Sequence, residues 1–318
     1  MTSPSHAPFH TTRAPRHMVA SADGLATQAG MHMLERGGNA VDAAIATNAA
    51  IAVTGPHLCG MGGDLFALVH HQGRVECLNA SGRSGSAADA AAVRADGHSV
   101  MPFRHDIRTV TVPGCVDGWV ALHQRFGSLP LGTLLAPAIR LASEGFPASP
   151  LLVGSLARLG AQARGTLHEL AGQAHRPNDR VRRPGVANAL RAIADGGREA
   201  FYTGDFGGGL LQLGNGWYTE ADLARSQAEW VAPLQAQAWG VDLFTVPPNS
   251  QGYLTLGAAA LASNLELPAD TTDEWWAHLL IEAAKVAGYD RPAALHAGAD
   301  GEALLRAIAD RAHLLDHD

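Results

Sequence analysis

The chain has 318 residues, of which 47% are hydrophobic and 17% charged, so it is long enough for one large domain or two modest ones. The formal net charge of −7, carried without a long block of like charge, excludes the basic footprint of a nucleic-acid or anionic-membrane binder. Three scattered cysteines indicate a reducing compartment, and the lack of a run of about 18 apolar residues excludes a membrane span, so a soluble, cytoplasmic protein that acts on small molecules is expected.

The N-terminal third begins with a segment that carries no export signal. Residues 1–17 are rich in Pro, Ser, Thr and His and are interpreted as a flexible leader. Helical spacing of apolar residues after Asp23 predicts a first helix, which Gly37 and Gly38 end with a left-handed conformation. Asn39 is placed to cap a second helix, AVDAAIATNAAIAV, which is apolar on nearly every side and is therefore expected to be buried.

A glycine-rich turn, GPHLCGMGGD, occupies residues 55–64 after the second helix. Two strands, 65–70 and 74–78, are predicted to follow as a hairpin. Dinucleotide and P-loop sites run strand, glycine turn, helix, whereas here the order is helix, glycine turn, strand, which would offer an anion the wrong end of the helix dipole. We therefore predict that the glycines let backbone pass close to backbone or to a ligand.

The rest of the chain is predicted to be mostly helical. Helices are expected over 116–126 and 134–142, and residues 151–214 have helical spacing with loose turns. Trp239–Val246 is predicted to be a strand that leads through a proline-rich turn, 247–252, into a helix over 254–261. Thr271 and Glu274 are predicted to form a capping box for the next helix, and a last helix includes Leu304.

Local motifs identify no catalytic centre. The sequence has no HExxH and no G-x-S-x-G, and of its sixteen histidines only His313 and His317 have ligand spacing on a helix, so no metal or cofactor is predicted. A Ser-His-Asp triad stays open, because triads are recognised by geometry. Asp42 and Asp64 are expected to accept hydrogen bonds from loop amides rather than to act as acids.

Several stretches, in order, resemble the gamma-glutamyltransferase (gamma-glutamyltranspeptidase) family of N-terminal-nucleophile hydrolases. They are MVASADGLATQAGMHMLERGGNAVDAAIATNAAIAVTGPHLCGMGGDLFALV, TVTVPGCVDGWVALHQRFG, APAIRLASEGFPAS, FYTGD, YTEADLA, WVAPL and FTVPPNSQGYLTLGAAAL. The resemblance implies an α/β fold, a four-layer αββα sandwich completed by a small subunit. It also implies a precursor that cuts itself, so that a threonine begins the small subunit and attacks an amide with its own amine as base.

The position of the nucleophile follows from the same resemblance. The family's threonine-threonine-histidine segment has no counterpart here, since Thr271 and Thr272 precede Asp273 and come too early. Residues 18–318 are therefore expected to be the large-subunit portion of a single domain, with the catalytic threonine on a separate chain from the same precursor and no cofactor. A dimer of such heterodimers is left open.

The resemblance also bears on the substrate. Where the family has an arginine that clamps a glutamyl carboxylate, this sequence has Ser81, with Arg83 two residues later. Ser250 and Gln251 occupy the counterpart of a serine-serine-glycine-glycine turn, which also places Tyr253 where the family has a small residue. Ser81, Arg83, Ser250 and Gln251 are the predicted substrate-binding residues. Gamma-glutamyl amides, oxamate and the acyl side chain of a β-lactam are the candidate substrates, and a non-catalytic binding paralogue is the alternative.

Overall fold

The computed structural model describes residues 13–102 and 106–315. Most of the predicted leader and His317 lie outside these residues. The helices are α1 (Gly24–Glu35), α2 (Ala40–Thr54), α3 (Ala90–Ala95), α4 (Cys115–Phe126), α5 (Leu131–Glu144), α6 (Pro150–Ala157), α7 (Ala161–Thr166), α8 (His168–Ala171), α9 (Pro184–Tyr202), α10 (Asp205–Gly214), α11 (Glu220–Ala224), α12 (Gly252–Ala262), α13 (Glu274–Gly288), α14 (Arg291–Ala294) and α15 (Gly301–Asp310). The strands are β1 (Leu65–His71), β2 (Arg74–Ala80), β3 (Phe146–Pro147), β4 (Arg180–Val181), β5 (Glu229–Val231), β6 (Leu234–Ala238) and β7 (Val241–Thr245).

Described residues fall into two compact units. The first comprises those of Met1–Met61, Gly85–Val110 and Trp119–Ala224, and the second those of Gly62–Ser84, Thr111–Gly118 and Arg225–Asp318. The prediction of a single large-subunit portion over 18–318 stays a prediction.

Helix α2 organises the first unit, where it packs against α1 and α5. The predicted cap is confirmed, because the Asn39 side chain accepts hydrogen bonds from Val41 N and Asp42 N, and Asp42 in turn accepts one from Asn39 N. Small residues let neighbouring helices approach closely, and α2 is buried along most of its length, as predicted. At its C-terminal end, Arg183 Nη1 donates to the carbonyls of Ala52 and Val53 at 3.0 and 3.3 Å.

The Asp42 carboxylate also ties α2 to the loop before α5. Its oxygens accept hydrogen bonds from the Ser128 hydroxyl and from the backbone amides of Ser128 and Leu129. Burial raises the pKa of Asp42, but these hydrogen bonds and that from Asn39 N outweigh burial, so the pKa lies below its ordinary value. The predicted role of Asp42 as an acceptor for loop amides is thus confirmed.

The second unit contains an antiparallel sheet in the order β1-β2-β5. The predicted hairpin is confirmed, with Leu65 opposite Ala80 and His71 opposite Arg74. Strand β1 lies at one edge of this sheet and exposes Phe66 and Leu68. A separate β6-β7 hairpin packs with α12, and the core between α12, α13 and α15 includes Tyr253, Leu256, Ala283 and Ile308.

Two local predictions are wrong. The strand predicted from Trp239 begins only at Val241, because Trp239 and Gly240 adopt positive φ in the turn between β6 and β7. Strand β6 was not predicted. Thr271 does not cap α13: Asp273 is the cap and accepts from Trp275 N, since its carboxylate reaches the amide two residues ahead. Thr272 instead bonds to Asp270.

The mixture of helices and strands is that of an α/β protein. Within the described part of the chain, no helix is both long and apolar enough to cross a membrane. Cys77 and Cys115 are buried, and Cys59 is half-buried.

Candidate active site

Three loops of the second unit lie side by side: residues 80–84 after β2, 111–114 before α4, and 247–251 before α12. The first two pack backbone against backbone, with Val112 N donating to Arg83 O at 2.8 Å. A Cβ at Gly114 would lie 2.0 Å from the carbonyl oxygen of Ala80, and one at Gly82 equally close to that of Val112. Only glycine fits at these two positions, and Gly82 also has φ of +82°.

Asn249 joins the first loop to the third. Its side-chain oxygen accepts hydrogen bonds from Asn79 Nδ2 at 3.1 Å and from Ser81 Oγ at 3.2 Å, and its own Nδ2 donates to Ser81 Oγ at 3.1 Å. Asn79 Oδ1 also accepts from Ser81 N. We call Asn79, Ser81 and Asn249 the Asn249 cluster. It offers uncharged amide and hydroxyl groups, which are suited to hydrogen bonds with a polar substrate, and it includes no base.

Arg83 forms an ion pair with Glu229 next to this cluster. Arg83 Nη2 lies 3.1 Å from Glu229 Oε2, and Arg83 Nη1 donates to Ser226 O. Strand pairing explains the contact, because β5 places Glu229 opposite Asn79 of β2. The two side chains are 37% and 63% exposed, so water and other anions have access to the pair. The predicted carboxylate ligand Arg83 thus already holds a carboxylate of its own chain.

The other predicted site residues are less directly placed. The Ser250 hydroxyl donates to Val246 O at 2.8 Å and accepts from Gly252 N at 3.0 Å, so it closes its own turn. Gln251 is exposed and precedes the first residue of α12. Tyr253, expected in the same turn, is fully buried in the core of the second unit. The structure therefore brings together Ser81, Arg83 and the 247–251 turn, but not the side chains of Ser250 and Ser81.

The glycine turn meets the site through Gly63, whose carbonyl accepts hydrogen bonds from Gly114 N and Cys115 N at 3.0 Å each. A Cβ at Gly60 or Gly62 would meet nothing within 4 Å among the described residues. Close approach of this chain to itself therefore does not account for these two glycines. Of the two predicted explanations, approach to a ligand stays a prediction for Gly60 and Gly62.

Cysteine chemistry does not fit this region. Burial raises the pKa of the Cys77 thiol to about 11, so it stays protonated at neutral pH and is a poor nucleophile. No group of three or more His, Cys, Asp or Glu side chains is arranged to hold a metal ion within the described ranges.

Sequence reasoning missed Asn79, Glu229 and Asn249. The sequence does show a polar residue, Asn79, near the end of a predicted strand and another, Asn249, in a proline-rich turn. Neither signal indicates that the two side chains are in contact.

Comparison with known proteins decides the family. The model of the gamma-glutamyltranspeptidase family matches residues 26–313. The chain belongs to this family. Among its relatives, a glutathione hydrolase-like YwrD proenzyme of Bacillus subtilis is 35% identical over 93% of this chain and 58% of its own length. An oxamate amidohydrolase proenzyme of Klebsiella pneumoniae is 33% identical over 87% of this chain and 55% of its own length.

Comparison with solved structures shows the fold. A cephalosporin acylase from Bacillus halodurans has a TM-score of 0.85 and 31% identity, covering 99% of this chain and 63% of that one. This likeness confirms the expected α/β fold of the N-terminal-nucleophile hydrolase type. The chain spans only a little over half the length of the two curated relatives above.

Proposed function

We propose that this chain is the large-subunit portion of an amide hydrolase or acyltransferase that matures by cleavage of a precursor. Family membership over residues 26–313 supports this, as do the names of two relatives, both called proenzymes. In this proposal a second polypeptide from the same precursor carries the nucleophilic threonine and completes the αββα sandwich.

The proposed reaction has two steps. The threonine hydroxyl attacks the amide carbonyl to form a tetrahedral intermediate, and its proton passes through the threonine's own amine to the departing nitrogen. The C–N bond then breaks, so that the amine leaves and an acyl-enzyme ester remains. Water or a second amine then attacks this ester, giving the acid or a new amide and restoring the hydroxyl. Backbone amides would stabilise the oxyanion in both steps. This chain's contribution is to hold the acyl group of the substrate.

The Asn249 cluster is the observation that carries the substrate class. Its amide and hydroxyl groups suit the polar atoms of a short acyl group, and the guanidinium of Arg83 is held by Glu229. We therefore propose a small amide as the substrate, in the class of the acyl side chain of a cephalosporin, since one of the similar proteins named above is called a cephalosporin acylase. Oxamate and a gamma-glutamyl amide, which both bear a carboxylate, are the second candidates, since the exposed Arg83–Glu229 pair is open to exchange with a substrate carboxylate.

Three experiments test this proposal. Intact-mass analysis and N-terminal sequencing of the protein from its native host should find a companion polypeptide that begins with threonine. A protein without any such companion, and without amidase activity, would instead be a binding paralogue. Ammonia release from oxamate, acid release from a cephalosporin and nitroaniline release from a gamma-glutamyl anilide then separate the substrate classes. Light scattering of the active species measures whether heterodimers pair.

A further inference from the structure

A cavity of about 480 Å³ lies in the second unit, between helix α13 and the chain that follows α12. Trp275 and Leu279 line it from α13, and Leu265, Glu266 and Pro268 line it from the other side. A volume of this size, with mainly apolar walls and a few polar groups, is typical of a small-molecule site. The chemistry of the tryptophan and the glutamate therefore decides which ligand fits.

Trp275 gives the cavity an aromatic surface that a ligand can reach. The residue is 42% exposed, which is unusual for so large an apolar side chain. His278 packs against it with ring centroids 5.0 Å apart and an interplanar angle of 82°, and this contact restricts the movement of the indole. Among aromatic rings the indole attracts cations most strongly, and ammonium groups bearing carbon substituents are recognised in this way. An accessible, restrained indole thus favours an organic cation.

Glu266 brings a negative charge to the same cavity. It is exposed, and it has no hydrogen bond or ion pair with any described residue. The only lysine of the sequence, Lys285, lies 2.6 Å from the carboxylate of Glu282 and is therefore already paired. Apolar walls exclude part of the water that would screen a charge, so a carboxylate beside them attracts a cation more strongly than one in open solvent.

The sequence around Glu266 adds negative potential. No lysine or arginine occurs between residues 225 and 285, whereas the stretch from 266 to 274 carries several carboxylates. They are Glu266, Asp270, Asp273 and Glu274. Negative charges grouped in this way raise the local concentration of a small cation and repel an anion. They do not form a site by themselves, but they favour the same ligand charge as the indole and the Glu266 carboxylate.

We propose that this cavity binds a small organic cation, with its ammonium group against the indole of Trp275 and beside the carboxylate of Glu266. Leu265, Pro268 and Leu279 contact the carbon atoms bonded to the nitrogen. An alkylated ammonium suits these walls better than a metal ion, because a metal ion requires several oxygen, nitrogen or sulfur ligands. No group of three such acidic, histidine or cysteine side chains is found in the described ranges. The proposal does not depend on the reaction proposed above.

Calorimetry with choline tests this assignment on the purified protein, with any companion polypeptide retained. Choline should bind saturably at one site per chain. The alcohol 3,3-dimethyl-1-butanol has the same shape without the charge and should bind at least tenfold more weakly. Glu266→Gln should weaken choline binding at least threefold. Trp275→Leu keeps an apolar side chain but removes the ring, and should weaken choline binding at least tenfold.

Each of these variants has a matched control. Glu274→Gln removes a carboxylate that is exposed in the first turn of α13 but does not line the cavity. Trp239→Leu removes an indole that is 56% exposed in the turn between β6 and β7. Both controls should bind choline within twofold of the wild type, and circular dichroism should show that all four variants are folded.

Three results would each overturn the proposal. They are absence of saturable choline binding, equal binding of 3,3-dimethyl-1-butanol, and wild-type choline binding by Glu266→Gln. Because Glu266 is exposed and forms no contact that the fold requires, its variant keeps the test decisive even if Trp275→Leu does not fold. Amidase activity is measured separately and is not a readout of this site.

Discussion

The guanidinium of Arg83 lies 3.1 Å from the carboxylate of Glu229, which strand pairing holds opposite Asn79. Any substrate carboxylate that reaches Arg83 has to compete with this internal partner. An exposed ion pair of this kind contributes about 0.2–1 kcal/mol, so the competition is modest rather than prohibitive.

Glu229→Gln should therefore lower KM for a gamma-glutamyl anilide about two- to fivefold, because the guanidinium is released, and leave KM for an uncharged acyl anilide unchanged. Steady-state kinetics on both substrates measures this. Arg83→Ala should raise KM for the carboxylate-bearing substrate alone. Unchanged values for both variants would remove Arg83 from the site.

Asn249→Ala should reduce kcat/KM about tenfold and stability by about 1 kcal/mol, because Ser81 and Asn79 lose the side chain that joins their loop to the 247–251 turn. Kinetics and urea unfolding measure the two effects. Asn264→Ala is a control of the same type at an exposed position, where the side-chain Nδ2 donates to Ala260 O within the same helix end. Equal activity of the two variants would show that the Asn249 cluster does not position substrate.

Gly114→Ala and Gly62→Ala should differ sharply. The added methyl group lies 2.0 Å from the Ala80 carbonyl oxygen at Gly114 but meets nothing within 4 Å at Gly62. We expect Gly114→Ala to destabilise the protein by about 3 kcal/mol and Gly62→Ala to change stability by less than about 1 kcal/mol. Thermal unfolding tests this, and a stable Gly62→Ala variant with much lower activity would indicate that a ligand approaches there.

Asp42→Asn should make the free energy of unfolding less dependent on pH in the acidic range. Because hydrogen bonds lower the pKa of Asp42 in the folded state, its contribution is complete above the ordinary carboxyl pKa and is lost as pH falls through the folded-state pKa. Urea unfolding between pH 7 and pH 3 should show a steeper loss for the wild type, and Asp42→Ala should cost about 3 kcal/mol at pH 7. Parallel curves for wild type and Asp42→Asn would contradict this.

Local signals predicted much of the fold. The Asn39 cap, the left-handed Gly37 and the 65–80 hairpin were predictable because each depends on residues a few positions apart. The Thr271 cap was predicted wrongly because two residues close in sequence, Thr271 and Asp273, can each cap helix α13. The sequence alone did not show that Asp273 is the cap.

The candidate site was predictable only in part. Ser81 and Arg83 were identified through a family resemblance, whereas their partners Asn249 and Glu229 were not. Ser81 and Asn249 are 168 positions apart, so only folding brings them together. Tyr253 was assigned to the turn, but it lies in the first turn of helix α12 and its side chain is buried in the core. Which face of the helix a residue occupies cannot be read from the turn motif alone.

The exposed edge of strand β1 affects how this polypeptide behaves when it is purified alone. Its outer backbone groups face no strand among the described residues, and Phe66 and Leu68 stand exposed beside them. Such an edge templates intermolecular pairing, so we expect this chain to aggregate when it is produced alone. If the proposed second polypeptide exists, producing the two together should reduce this aggregation.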